Sequence, residues 1–258
     1  MKRIALCLAL VLGMAHSAQA HFGMIIPSQG TVDDKAKANV AITLAFAHPM
    51  ELEGMNMVRP LEFGVVNAGE EKSSLLPALK EVKLLGHQAW QASYAVKKPG
   101  VYTFYTVPAP YWEPAEDKFI QHITKVIVPA FGDDEGWDEP LGLKTEIVPL
   151  TRPFGNYAGN IFTGRVLLDG KPAANCEVEV EYYNKDKKYA APNDYAVTQV
   201  VKTNAQGEFS FVAPWAGWWG FAALNDAKET IKQDGKDKTI ELGAVLWVEF
   251  LAPKTGKK

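Results

Sequence analysis

His21 stands directly after Ala18-Gln19-Ala20, a small-x-small triplet of the kind a signal peptidase cuts. Cleavage there makes His21 the first residue. An N-terminal histidine carries a free α-amine and an imidazole in one residue, and the two can close a chelate ring on a metal ion. An α-amine has a pKa of about 7.7–8.0, so a metal displaces its proton readily at neutral pH. Nitrogen donors of this kind suit Ni²⁺, Cu²⁺ or Zn²⁺ better than Mg²⁺ or Ca²⁺. The competing reading is that histidine is merely what cleavage leaves first.

Two further histidines could complete such a site. His48 lies in "AFAHPMELEGMNM", past a strand expected to end at Phe46, and the loop after it offers Glu51, Glu53, Met50, Met55 and Met57. Loops at strand ends carry function more often than the strands do; otherwise His48 is a turn residue before Pro49. His122 shares a strand face with Ile120, Thr124 and Val126. A lone histidine on an apolar face is usually a satisfied core residue, and it reads as a ligand only because His21 and His48 need a partner. His87 reads as a surface turn residue.

Other groups are weaker candidates. Glu116 and Asp117 could orient an imidazole or be solvated charge. Glu177, Glu179 and Glu181 read as the wet face of a strand. Tyr111-Trp112 with Trp215, Trp218 and Trp219 form either a flat sugar-binding face or core packing, since aromatic side chains bury large areas. The chain has no Gly-x-Ser-x-Gly, no phosphate loop, no Cys-x-x-Cys and no carboxylate pair that announces a hydrolase.

The elements that must position these residues are short and mostly alternating. Residues 1–20 read as a signal peptide: Lys2 and Arg3, then an apolar run from Ile4 to Met14 that is shorter than the ~18 residues a span needs. From His21 the chain has 238 residues, room for one large domain or two ordinary ones. Loss of Lys2 and Arg3 takes the formal net charge from −3 to −5, which argues against nucleic acid as a partner, and no second run is long enough to cross a membrane. Cys7 leaves with the signal peptide. Cys176 is then alone, a buried core thiol by its parity with Val178, Val180 and Tyr182.

"NVAITLAFA", "VYTFYTV", "FIQHITKVIV" and "CEVEVEYY" alternate with period two, as strands do. One short helix is expected near Glu71–Val82. A Gly-, Pro- and acid-rich stretch from Pro129 reads as a linker. The fold class is therefore all-β, with two β-sandwich domains at 21–149 and 150–252 and a tail at 253–258. Asp169-Gly170 and Asn204–Gly207 mark tight turns in the second, whose hairpin grammar looks transthyretin-like or carboxypeptidase-regulatory-like.

"HFGMIIPS", "FAHPMELEGMNMVRPLEFGV", "GVYTFYTVPAPYWEPAEDKFIQHITKVIV", "IVPLTRPFGNYAGNIFTGRV", "WAGWWGFAA" and "GAVLWVEF" together resemble a family of secreted bacterial proteins described only as a domain of unknown function, and similar to the NikK-type periplasmic component of energy-coupling-factor nickel and cobalt transporters. The family's usual Pro-Gly-Trp-Trp-Gly has Ala216 in place of its proline. The resemblance implies a periplasmic, non-enzymatic protein that takes Ni²⁺, with Co²⁺ or Cu²⁺ as alternatives, and passes it to membrane transporter components. It carries over His21, His48 and His122 as recurring histidines; Glu51, from the adjoining loop, completes the expected ligand set. Two other readings stand beside it: a copper enzyme of the histidine-brace type, and a structural or carbohydrate-binding sandwich without metal.

Overall fold

The computed structural model describes residues 21–254 and residue 256, so the signal peptide expected over 1–20 lies outside the described residues. Ten strands precede the acidic loop: β1 (Phe22–Pro27), β2 (Asn39–His48), β3 (Glu53–Met55), β4 (Glu62–Asn67), β5 (Ser73–Ser74), β6 (Lys80–Leu84), β7 (His87–Ala95), β8 (Gly100–Val107), β9 (Tyr111–Glu113) and β10 (Lys118–Ala130). Those after it are β11 (Thr145–Pro149), β12 (Asn156–Tyr157), β13 (Ile161–Leu168), β14 (Lys171–Pro172), β15 (Glu177–Tyr182) and β16 (Gln199–Lys202), then β17 (Glu208–Val212), β18 (Gly217–Asp226), β19 (Ile231–Gln233), β20 (Lys236–Lys238) and β21 (Ile240–Leu251). The chain is all-β. Among the described residues the helical pieces are three single 3₁₀ turns.

No helix forms over Glu71–Val82. Pro77 sits in a 3₁₀ turn at Leu76–Ala78, and the residues around it pair as β5 and β6. Proline cannot donate to an α-helical ladder, and "KEVKL" alternates as a strand.

A ten-stranded sheet forms the middle layer, with the order β16-β15-β18-β21-β10-β8-β4-β5 and with β12 and β9 beside β21 and β10. The parallel pairing of β10 with β21, from Phe119↔Ile240 to Val126↔Trp247, joins the two halves of the chain in this sheet. On one face lies the sheet β1-β2-β7-β6 with β3. On the other lies β11-β13-β14 with β17.

Strands β18 and β21 are thus buried on both faces. Trp218, Ala222, Val245 and Trp247 join the first core. Trp219, Phe221, Ala223, Leu246 and Val248 join the second. Burial on both faces explains why "GAVLWV" runs continuously apolar rather than alternating. It also decides the tryptophans: Trp218 and Trp219 are buried back to back, not displayed on a flat surface. Cys176 is buried in the second core, as its parity indicates.

The turns follow their residues. Asp169 and Gly170 both take positive φ (50° and 72°) and close β13 onto β14, as a two-residue hairpin turn requires. The acidic loop is fastened by Glu146, whose carboxylate accepts from the Lys125 ammonium at 2.6 Å and from the N–H groups of Leu141, Gly142 and Leu143.

A candidate metal site at the start of strand β1

Strand β2 continues to His48 instead of stopping at Phe46. The added residues pair with β3, Ala47↔Gly54 and His48↔Glu53. His48 therefore extends the buried row Val40, Ile42, Leu44 and Phe46.

Strand β1 lies antiparallel to β2 with Phe22↔Ala47 and Gly23↔Phe46. One step further, His21 comes opposite His48, and side chains facing one another across an antiparallel pair share a face. Their ring centroids are 4.6 Å apart. His21 also stacks on Phe46, two residues back on the same face, at 5.5 Å.

Strand β9, folded back on β10 with Glu113↔Lys118, brings Glu113 to this corner. Its Oε2 lies 3.1 Å from His21 Nε2. His21 is only 9 % exposed, and its pKa is pushed down to about 4. Burial is the main cause, the neighbouring His48 adds to it, and Glu113 opposes it. The ring is therefore neutral at pH 7. The Glu113 carboxylate beside Nε2 favours the tautomer that carries its proton there, which leaves the lone pair on Nδ1, the nitrogen nearer the backbone. A carboxylate on the ring nitrogen that does not bind the ion sets histidine tautomers this way in metal sites.

His122 lies next to this pair but is engaged on both sides. Its Nδ1 accepts from the Gly23 N–H at 3.4 Å, and its Nε2 faces Glu241 Oε1 at 3.4 Å. The parallel register sets His122 beside Gly243, where a Cβ would stand 2.3 Å from the imidazole Cδ2. Glycine at 243 makes the space for the ring, and Gly23 approaches from the other side, where a Cβ would meet Thr124 Oγ1 at 2.4 Å.

Glu51 is exposed in the turn after His48, and its charge acts on Glu181. Among the described residues, no group of three or more His, Cys, Asp or Glu side chains is arranged to hold a metal ion. The structure thus brings His21 and His48 ring to ring and sets His122 beside them, tied to Gly23 and Glu241.

Glu113 and Glu241, rather than Glu116 and Asp117, hold imidazoles. Glu116 pairs with Lys118, and Asp117 with Lys238. Glu113 could have been found two positions beyond Tyr111 in "YWEPAED", on the same parity. Glu241 has no such signal, because only the β10–β21 pairing brings it to His122. The stripe Glu177, Glu179 and Glu181 is not a uniformly wet face: Glu181 is 1 % exposed. Burial pushes its carboxyl up to about 8 and that of Glu179 up to about 7. The first sheet covers this end of β15 and removes the water that the alternation alone suggests. His87 begins β7 and is half-buried.

The model of a family described as a domain of unknown function, DUF4198, matches residues 18–227. No curated protein matches the chain. Among solved structures, the D0-D1 domain of intimin is 12 % identical over 90 % of this chain and all of that one, with a TM-score of 0.24. An Escherichia coli α2-macroglobulin fragment spanning domains MG0-NIE-MG1 is 7 % identical over 88 % of this chain and 72 % of that one, with the same TM-score of 0.24. Overlaps at this level carry no argument about fold or activity.

Proposed function

The chain belongs to the DUF4198 family, and we propose that it is a periplasmic, non-enzymatic metal-binding protein that takes up Ni²⁺, or Co²⁺, and passes it to a membrane transporter. The observation that carries this reading is the His21–His48 ring pair with Glu113 on His21 Nε2. Once the chain begins at His21, the α-amine and Nδ1 of that residue can close a six-membered chelate ring. His48 supplies a second imidazole from across the strand pair. The amine is not a side chain, so these three nitrogens need no third histidine. His122 then supports β1 through Gly23 rather than binding the ion.

Calorimetric titration of the chain beginning at His21 with Ni²⁺ and Co²⁺ tests this. His21→Ala and His48→Ala should each weaken binding at least tenfold, about 1.4 kcal/mol. His122→Ala should change it by only a few-fold. No saturable binding to the unmodified chain, or equal affinity in all variants, defeats the reading.

A second reading is favoured by the same composition of donors. Two imidazoles and an N-terminal amine are the ligands of a copper histidine brace, and Cu²⁺ binds such nitrogen sets more tightly than Ni²⁺. Oxidative cleavage of a polysaccharide by the copper-loaded protein with a reductant would establish that reading; Ni²⁺ or Co²⁺ binding without such activity favours the first.

A further inference from the structure

We propose that the cavity beside the histidine cluster is a binding site for a small aromatic molecule of one or two fused rings. The cavity measures about 200 Å³, and its walls include Phe46, Met57, Pro110, Tyr111, Ile120 and His122. An apolar cavity of about 150 Å³ is enough to hold benzene, so this one admits a ring system between benzene and indole in size.

The walls set the chemical class. Phe46 and Tyr111 lie 5.4 Å apart and tilted by 56°, so they meet an occupant with differently oriented ring faces. Tyr111 shares its face of the sheet with its β10 partner Ile120, which also lines the cavity, whereas Trp112, partner of Phe119, turns to the opposite face, against Phe119 at 5.0 Å and Lys238. Aromatic pairs prefer such offset and edge-to-face contacts, and a flat ring satisfies several at once where a puckered aliphatic ring does not.

Most polar groups on the walls are committed within the protein. Thr106 donates to the Glu62 carbonyl and Thr124 to that of His122. Asn56 Oδ1 accepts from the Gln88 N–H. His122, also in the lining, is held by the Gly23 N–H and Glu241. The Tyr111 hydroxyl and the Asn56 amide N–H groups remain to orient one polar substituent. That balance, apolar walls with few directing groups, is the profile of a small-molecule site. Val58, 57 % exposed, stands at the rim and marks the entrance.

The inference does not rest on the metal reading, although Phe46 is common to both places: it walls the cavity, stacks on His21, and meets His122 edge-on at 5.9 Å.

The test uses the chain beginning at His21 in excess chelator, so its outcome is separate from that of any metal titration. Indole and cyclohexanol are titrated in and followed by ¹H–¹⁵N NMR. Indole should shift the Met57 and Tyr111 backbone amides saturably and show NOEs to the Met57 and Ile120 methyl groups. Cyclohexanol should bind at least about tenfold more weakly. Ala109→Trp, which fills the cavity from its lining, should weaken indole at least about tenfold with its thermal midpoint unchanged. No saturable shift, NOEs to residues elsewhere, cyclohexanol binding equally well, or a folded Ala109→Trp binding indole as tightly as the parent would each overturn the proposal. Should Ala109→Trp fail to fold, the NOEs on the unmodified chain decide.

Discussion

The backbone N–H of Met50 donates to Glu181 Oε2 at 3.3 Å, across 131 residues of sequence. It is one of three bonds by which the second half of the chain grips the turn just after His48. Asn184 Nδ2 donates to the Met50 carbonyl at 3.2 Å, and the Asn184 N–H donates to the Pro49 carbonyl at 3.1 Å. Thr198 donates its hydroxyl to the other oxygen of Glu181.

Asn184→Ala removes the amide that bridges Met50 and Tyr189. The carbonyls of both residues lose a buried partner, at a cost of about 1–3 kcal/mol. Denaturant unfolding should show that loss, and hydrogen exchange at Met50 and Leu52 should accelerate. Unchanged exchange at both amides would mean the turn is held without this clamp.

Glu181 makes stability depend on pH in a direction opposite to that of most carboxylates. Burial raises its folded-state pKa from 4.5 to about 8. The folded chain therefore keeps the proton after the unfolded chain has lost it, and the stabilisation, complete below about pH 4.5, drains away as pH rises towards 8. Glu181→Gln stays neutral throughout. The loss of unfolding free energy between pH 5 and pH 8 should be smaller in this variant than in the parent, by something on the order of a few kcal/mol. Guanidinium melts at the two pH values measure this, and identical losses in both proteins would rule it out.

These residues also mark how far the sequence could be read. The strands were legible because period-two alternation survives wherever one face is wet, as in "NVAITLAFA". Following that parity two residues further would have placed His48 on the buried row with Phe46, but Pro49 suggested an earlier end. Glu181 was misread because alternation identifies a face without saying what covers it, and here the β2–β3 turn does. Glu241 was invisible, since its approach to His122, 119 residues away in sequence, depends on the parallel pairing of β10 with β21. The helix expected at Glu71–Val82 failed where a weak periodicity met Pro77.

Gly243 offers a test of that pairing. A methyl group there must displace the His122 imidazole, which its Cβ would approach to 2.3 Å, and so disrupt the contacts of both ring nitrogens. Gly243→Ala should cost about 1–3 kcal/mol, the range for overpacking a filled core, and should move the His122 ring resonances. If the variant is as stable as the parent and its His122 signals are unmoved, the ring does not occupy the place described.

The remaining prediction concerns the amine of His21. If this residue chelates through both its amine and its ring, adding residues in front of it must weaken binding. An extension by Gly-Ser converts the amine into an amide and leaves the ring, Glu113 and His48 in place. It should alter the fold little, because chain ends usually tolerate additions. His21→Ala with a free terminus removes the ring and keeps the amine, so the two variants divide the chelate into its parts. Each should bind Ni²⁺ at least tenfold more weakly than the chain beginning at His21, about 1.4 kcal/mol, in calorimetric titrations at pH 7.5. Weakening by His21→Ala alone would make His21 an ordinary imidazole ligand that needs no free terminus. Equal affinity in all three proteins would leave His21 as no more than the residue at which cleavage falls.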